Sequence, residues 1–215
     1  MLQKIFSCNF GTFCFIGRKI ISVVDKDEVK DSIINVARSI FSKYGFKKTT
    51  MDDIARAMHK GKSSIYYYFA SKEEIYQAVV AKESQLLKDA ISNSVGLVDN
   101  PKDKLKNYIY TRMSSYSKLA NFYNAIKDEY LSHLAFIDSI RKKYDNEEIG
   151  MVQEILRDGV NRKVFKIEDT TLAATAIVTA MKGLEIPLFW ENNDRKLDDR
   201  QQDLLNILFY GIVKQ

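Results

Sequence analysis

A run of ammonium, hydroxyl and phenol side chains between residues 60 and 70 gives this 215-residue sequence its most distinctive chemistry. Lysine can donate to the acceptor atoms of guanine, serine hydroxyls can pair with several bases, and tyrosine hydroxyls can hold backbone phosphates. The run therefore carries the functional groups of a DNA-contacting surface. Its members are Lys60, Lys62, Ser63, Ser64, Tyr66, Tyr67 and Tyr68.

Short helices are predicted to position these side chains. Apolar residues at spacings of three and four from Val29 to Tyr44 predict a first helix, and Gly45 ends it. Thr50 and Asp53 have the spacing of a capping box and open a short second helix.

The third predicted helix follows the turn at residues 59–61 and carries Ile65 and Phe69 inward at positions i and i+4. Three consecutive tyrosines cannot all face one core, so Tyr67 is expected to be exposed. A second capping box from Ser71 to Glu74 opens a long fourth helix.

A short helix, a turn of about three residues and a second helix with a polar, basic outer face form a helix-turn-helix. Residues 26–77 hold ten Lys or Arg against seven Asp or Glu. The acidic residues lie mainly at helix starts, and the positive excess comes from Lys43, Lys47, Lys48, Lys60, Lys62 and Lys72. The pattern predicts that the third helix enters a major groove.

The run TTMDDIARAMHKGKSSIYYYFASKEEIYQAVV resembles the helix-turn-helix of the tetracycline-repressor (TetR) family, whose usual form is T-x-x-D-I-A-x-x-A-G-V-S-K-G-x-L-Y-x-Y-F-x-x-K-E-x-L. The resemblance covers about residues 27–76. The positions in register are Thr50, Asp53, Ile54, Ala55, Lys62, Ile65, Tyr66, Tyr68, Phe69, Lys72 and Glu73.

This resemblance implies a dimeric transcriptional regulator, usually a repressor that a small molecule releases from DNA. Lys62 and Ser63 would face bases, and Thr50 would present its hydroxyl and helix N-terminus to the DNA backbone. The phosphates would be contacted by Tyr66, Tyr67, Tyr68 and Lys72. Among the departures from the family pattern, His59 replaces the turn glycine, Lys60 an apolar residue and Ser63 a glycine.

The whole chain is predicted to be all-α, with a three-helix DNA-binding domain followed by a larger helical ligand-binding and dimerisation domain. The predicted boundaries are 1–25 for an N-terminal extension, 26–76 for the DNA-binding domain with its motif at 50–69, and 77–215 for the regulatory domain. The fourth helix is predicted to span 72–94, and further helices are predicted at 102–118, 121–143, 146–161, 168–189 and 197–213.

The last two predicted helices carry apolar faces with small residues that allow close helix approach. Periodicity alone is equally compatible with burial inside one chain, and the family resemblance implies a four-helix interface with a second copy. The candidate interface residues are Leu172, Ala173, Ala176, Ile177, Ala180, Leu204, Leu205, Leu208 and Ile212. Two copies would read a palindromic double-stranded operator.

Aromatic and sulfur side chains in the middle of the chain can line a pocket for an apolar or aromatic small-molecule effector, although the same residues also suit an ordinary core. These residues are Tyr108, Met113, Tyr116, Phe122, Tyr123, Tyr130, Phe136 and Met151. Arg112, Glu129 and His133 are candidate polar anchors.

The residue patterns that zinc enzymes, Cys/His nucleophiles and nucleotide-binding loops require are not found in this sequence. Cys8 and Cys14 are the only cysteines, and His59 and His133 are far apart without a metal-site spacing, so neither a zinc site nor a Cys/His nucleophile is predicted. No Gly-rich phosphate loop is present. The sequence predicts no enzyme, cofactor or metal.

The first 24 residues lack the clean apolar core of a signal peptide and the length of a membrane helix, so a cytoplasmic protein without a membrane partner is expected. Two alternatives stay open: a DNA-binding regulator or activator of the same fold without an effector, and a helical ligand carrier.

Overall fold

The computed structural model describes residues 26–115, 118–127, 135–183, 202–203, 205–207 and 210. Within these ranges the chain forms helices and connecting turns, and no strand is present there. The helices are α1 (Lys26–Tyr44), α2 (Met51–Ala57), α3 (Lys62–Tyr66), α4 (Lys72–Gly96), α5 (Pro101–Ser114), α6 (Ala120–Lys127), α7 (Ala135–Asn161) and α8 (Thr170–Gly183). The all-α prediction is confirmed.

The first three helices pack around a small apolar core. Ile33, Ala37 and Phe41 come from one face of α1 and are buried, as the apolar spacing predicts. Gly45 ends α1 with a φ of +79°, and its N–H donates to the carbonyl of Phe41 at 2.8 Å. That left-handed conformation costs glycine little because glycine has no Cβ.

Helix α4 joins this three-helix core to the rest of the chain, because it packs against α1, α5, α6 and α7. Ser71 caps α4 by accepting the N–H of Glu74. The expected reciprocal bond is shifted by one residue, because the Glu74 carboxylate accepts the N–H of Ala70 at 2.6 Å rather than that of Ser71. The start of α4 is nonetheless where the sequence predicts it.

The predicted break near residues 144–145 is wrong, because α7 runs without interruption from Ala135 to Asn161. The polar run there reads as a loop in the sequence, but Lys142 and Lys143 lie on the exposed side of the helix. Tyr144 and Glu148 face inward and are buried. The polarity of this run reflects a solvated helix face, not a turn.

Other helix bounds differ by smaller amounts. Helix α5 ends at Ser114, short of the predicted residue 118, and α4 extends to Gly96. The C-terminal part of the predicted helix 168–189 beyond Gly183 lies outside the described residues, as do residues 1–25 and most of 197–213. Residues 202–203, 205–207 and 210 are helical.

Candidate nucleic-acid interface

Helix α2 begins with a complete capping box. Thr50 Oγ1 accepts the N–H of Asp53 at 3.2 Å, and Asp53 Oδ2 accepts the N–H of Thr50 at 3.0 Å. The Thr50 hydroxyl also donates to Asp53 at 2.6 Å. These bonds to Thr50 lower the pKa of Asp53, because they stabilise its carboxylate form. The box fixes the start of α2 on the exposed surface.

The turn between α2 and α3 is a Schellman C-cap. The N–H of Lys60 donates to the carbonyl of Ala55 at 3.0 Å, and the N–H of His59 donates to Arg56 at 3.1 Å. His59 holds the left-handed position with a φ of 53°. Glycine is the usual residue at this position of the motif, which is the physical reason that the family pattern has glycine there.

Helix α3 is held by one buried side chain and presents the others outward. Ile65 is completely buried between α3 and the core, whereas Tyr67 is 69% exposed, as predicted. The exposed residues also include Lys62, Ser63, Ser64 and Tyr66. The structure thus places these candidate contacts on a single short helix and its C-terminal turn.

Lys62 is joined to α2 by an ion pair, since its Nζ lies 3.0 Å from Asp52 Oδ2. The hydrogen bond that Lys62 donates to Asp52 raises the pKa of Lys62, so this side chain stays an ammonium ion at neutral pH. Sequence reasoning missed this contact. The spacing of ten residues between two helices gave no local signal.

Tyr68 and Lys72 are less available than the resemblance implies. Tyr68 is half-buried and packs against the core, with its ring edge-on to Tyr67 at a centroid distance of 5.0 Å. Lys72 donates to the carbonyl of Phe46 at 2.9 Å, and its ammonium lies 4.2 Å from the centre of the Phe46 ring. Lys72 therefore anchors the loop before α2. A phosphate contact by Lys72 stays a prediction.

Comparison with known proteins agrees with this geometry. Residues 33–79 match the family model described as bacterial regulatory proteins, tetR family. The chain is 27% identical over 141 residues to IcaR, the negative transcriptional regulator of the biofilm operon icaADBC in Staphylococcus aureus strain Newman. That alignment covers 66% of this chain and 70% of the relative.

Residues 33–79 therefore belong to the tetR family of bacterial regulatory proteins.

Two solved structures share the fold of this chain. One is a TetR/AcrR-family transcriptional regulator from Thermobifida fusca, with a TM-score of 0.72 and 20% identity over 87% of this chain and 100% of the other. The second is a transcriptional regulator from Saccharomonospora viridis in complex with choline, with a TM-score of 0.77 and 17% identity. It covers 88% of this chain and 100% of the other.

A buried polar junction joins the TetR-type DNA-binding module to the helices beyond it. Glu83 of α4 is 1% exposed, and its Oε1 accepts from Arg38 Nε of α1 at 2.8 Å and from Asn121 Nδ2 of α6 at 2.9 Å. Its Oε2 accepts the N–H of Phe122 at 2.8 Å. One carboxylate therefore holds α1, α4 and α6 together. Sequence reasoning missed this junction because its members are up to 84 residues apart.

The predicted pocket residues differ in burial, and some of them lie outside the described residues. Tyr108, Met113 and Phe122 are buried in the core, and Phe136 and Met151 are half-buried. Met151 lines both a cleft of about 480 Å³ and a smaller void beside it, whereas the other four line neither of these two. Tyr116 and Tyr130 lie outside the described residues, as do Glu129, His133 and the side chain of Tyr123.

Tyr108 belongs to a buried ionic cluster. Its hydroxyl donates to Glu148 Oε1 at 2.7 Å, and Arg112 pairs with the same carboxylate. Burial, together with the negative charge of Glu148, raises the pKa of Tyr108 well above its usual value, so the phenol stays protonated and acts as a donor. Of the three polar anchors suggested by the sequence, Arg112 is placed here.

The candidate dimer residues of α8 lie mostly on its open side. Leu172, Ala176 and Ala180 are exposed, and Ala173 and Ile177 are half-buried. Leu205 is 1% exposed within the single chain, so the prediction that it faces a second copy is wrong: its side chain is already covered by its own protomer. Leu204, Leu208 and Ile212 lie outside the described residues.

None of the helices in the described ranges combines the length and apolar character needed to cross a membrane.

Proposed function

We propose that this TetR-family chain is a dimeric repressor that binds a palindromic DNA operator through α3 and is released by a small-molecule effector. The observation that carries the DNA-binding part is the arrangement of α2 and α3. A capping box starts α2, a Schellman turn reverses the chain, and buried Ile65 fixes α3 with its polar side outward. Rigid placement of this kind is what groove reading requires.

Within α3, base reading is assigned to Lys62, Ser63 and Ser64, which form the first turn of the helix. In helix-turn-helix proteins the N-terminal residues of the recognition helix are those that reach base edges. Tyr66 and Tyr67 follow on the exposed side and are suited to phosphates. Lys60 lies just before α3 and Thr50 caps α2, and both add contacts to the DNA backbone, which position the protein without reading sequence.

Dimerisation is assigned to the exposed face of α8. This face holds Leu172, Ala176, Ala180 and Gly183, interleaved with Thr175 and Thr179, and it carries no charged side chain within the described residues. Small residues allow two helices to approach closely, and an exposed uncharged helix face is costly to leave in water. A second copy would cover this face and place two α3 helices on one duplex.

An effector is supported by the fold relative that holds choline and by a cleft of about 480 Å³ beside α4. That volume lies within the range of small-molecule sites. Helix α4 reaches from this cleft to the DNA-binding module, so a ligand there is connected to α1 through the Glu83 junction. The repressing direction is supported by the similarity to IcaR, a negative regulator.

The proposal is tested by fluorescence anisotropy with a labelled duplex taken from the region upstream of this chain's own coding sequence, titrated at several salt concentrations. Selective binding over a shuffled duplex is expected, with a dissociation constant that rises steeply with salt because phosphates are neutralised. Equal affinity for both duplexes at all salt concentrations would overturn the assignment of α3 as a recognition helix.

A further inference from the structure

Two hollows lie along the same seam between α4 and α7. The outer one is the cleft of about 480 Å³, whose apolar lining includes Val95, Met151 and Ile155. The inner one is a void of about 10 Å³ that is lined by Lys88, Ile91, Tyr144, Glu147, Glu148 and Met151. Met151 lines both, so one side chain separates the cleft from the void.

The α7 side of the seam is a single helical stripe. Tyr144, Glu148, Met151, Ile155, Asp158 and Arg162 are spaced by four, three, four, three and four residues. This spacing places them in one row along the helix axis. The row passes from a buried polar end at Glu148, through apolar side chains, to a solvated mouth at Arg162.

The polar end contains an acceptor without a donor. The Glu148 side chain is 2% exposed, and its Oε1 is bound by Tyr108 and Arg112. Its Oε2 is buried and has no hydrogen-bond partner among the described residues. A buried acceptor left without a donor is unfavourable, so a ligand that supplies one gains affinity here.

The charges around the void are already balanced. Glu148 is paired with Arg112, and Lys88 lies 3.0 Å from Glu147. A ligand ammonium would bury an uncompensated positive charge, and a ligand carboxylate would face the Glu148 oxygen. A neutral hydroxyl or N–H group satisfies Oε2 without either penalty.

We propose that the α4–α7 seam binds an elongated apolar molecule that ends in a neutral hydrogen-bond donor. The apolar body lies in the cleft against Val95 and Ile155, and the donor passes Met151 to reach Glu148 Oε2. This inference deepens the effector part of the proposed function by naming the chemical class of the ligand. Lys104 and Arg162 stay at the mouth, where both face Asp158.

Isothermal titration calorimetry of the full chain with 1-octanol, octanoate and octylammonium tests the class, because these probes share one apolar chain and differ in the head group. We expect 1-octanol to bind at least about ten-fold more tightly than either charged probe, as one hydrogen bond to a buried charged group implies. Binding of octanoate or octylammonium as tight as that of 1-octanol would overturn the proposal, as would no binding of 1-octanol.

Two variants with matched controls test the location. Glu148→Gln is expected to weaken 1-octanol binding about ten-fold, whereas Glu168→Gln, on the exposed segment after α7, leaves it unchanged. Gly96→Phe adds a ring at the cleft, where a Cβ meets nothing within 4 Å, so it tests the site without disturbing the buried pair. Gly150→Phe is its control, because Gly150 is also open but lines neither hollow.

Loss of 1-octanol binding in Gly96→Phe with normal binding in Gly150→Phe supports the seam, even if Glu148→Gln does not fold. Equal effects of the two glycine variants would place the ligand elsewhere. DNA binding of the same preparations is measured separately. DNA binding without 1-octanol binding would overturn this inference alone, and 1-octanol binding without DNA binding would overturn the proposed function.

Discussion

At the scale of single residues, His59 occupies the position of the α2–α3 turn that glycine fills in the family pattern. Its φ of 53° brings Cβ close to the backbone, and histidine tolerates this conformation less well than glycine. The local polar composition still predicts a turn here. The strain itself became visible only with the backbone angles.

His59→Gly is expected to raise the free energy of unfolding by about 0.5–1 kcal/mol, because relief of the strained conformation outweighs the greater freedom of glycine in the unfolded chain. Thermal and urea unfolding would measure the change. Gly45→Ala is the opposite case. Gly45 has a φ of +79°, which alanine adopts only with strain, so this variant should unfold more easily by a similar free energy. A His59→Gly variant that unfolds more easily would show that the imidazole makes a stabilising contact.

Lys62 is a second single residue whose role can be tested by one substitution, because its ammonium group is the proposed contact to a base. Lys62→Ala is expected to weaken binding to the preferred duplex about ten-fold while changing binding to a shuffled duplex much less. Anisotropy titrations with both duplexes would measure this. Lys142→Ala, at an exposed lysine of α7, is the control. Equal losses on both duplexes, with a salt slope reduced by about one, would make Lys62 a phosphate contact.

At the scale of elements, the Glu83 junction is a polar contact that joins α1 of the DNA-binding module to α4 and α6. Arg38 also donates to the carbonyl of Lys118 at 2.9 Å, and Asn121 donates to the carbonyl of Arg38 at 3.0 Å. Because the polar partners of Glu83 among the described residues come from α1 and the start of α6, a movement of α6 would directly disturb the position of α1.

Glu83→Gln should destabilise the fold by about 3 kcal/mol, since it leaves the Arg38 charge without its partner and places an amide N–H where acceptors are needed. Hydrogen exchange is also expected to rise at the amide of Phe122, which donates to Glu83. Chemical unfolding and exchange measured by mass spectrometry would test both effects. Glu73→Gln changes an exposed carboxylate of the same helix and should do neither.

Faster exchange at Phe122 in both glutamate variants, or in neither, would show that Glu83 does not hold α6.

The helix boundaries are the feature that sequence reasoning predicted least evenly. Capping residues and apolar spacing predict the starts of α2 and α4 well, because those signals are local. The break predicted near residues 144–145 was wrong, because a solvated helix face and a loop share the same polar composition.

At the scale of the whole molecule, the exposed face of α8 is the surface at which we propose that two copies associate. Leu172 is 67% exposed in the single chain, although leucine is normally covered. The face continues through Ala176 and Ala180, and Ile177 borders it. The predicted interface on α8 thus remains open for a partner, whereas Leu205 belongs to the protomer core.

Leu172→Asp should convert the proposed dimer to a monomer, because it would bury a charge within the apolar contact between the two α8 helices. Light scattering after size exclusion would report the mass, and operator affinity should fall because two recognition helices no longer bind together. Leu97→Asp is the matched control, an identical change at a leucine that is 82% exposed after α4. A dimeric Leu172→Asp variant would move the interface to another surface.

The sequence by itself determined the helical class, the capped helix-turn-helix and the outward side of α3, because all three depend on interactions within a few residues. Only the tertiary structure decided the contacts made across long separations: Lys62 with Asp52, Lys72 with Phe46, and Glu83 with α1 and α6. It also decided that Tyr108 serves a buried ionic cluster and that the larger described cleft lies elsewhere on the α4–α7 seam. Apolar periodicity shows which face of a helix is buried, but which helices meet there depends on how the whole chain packs.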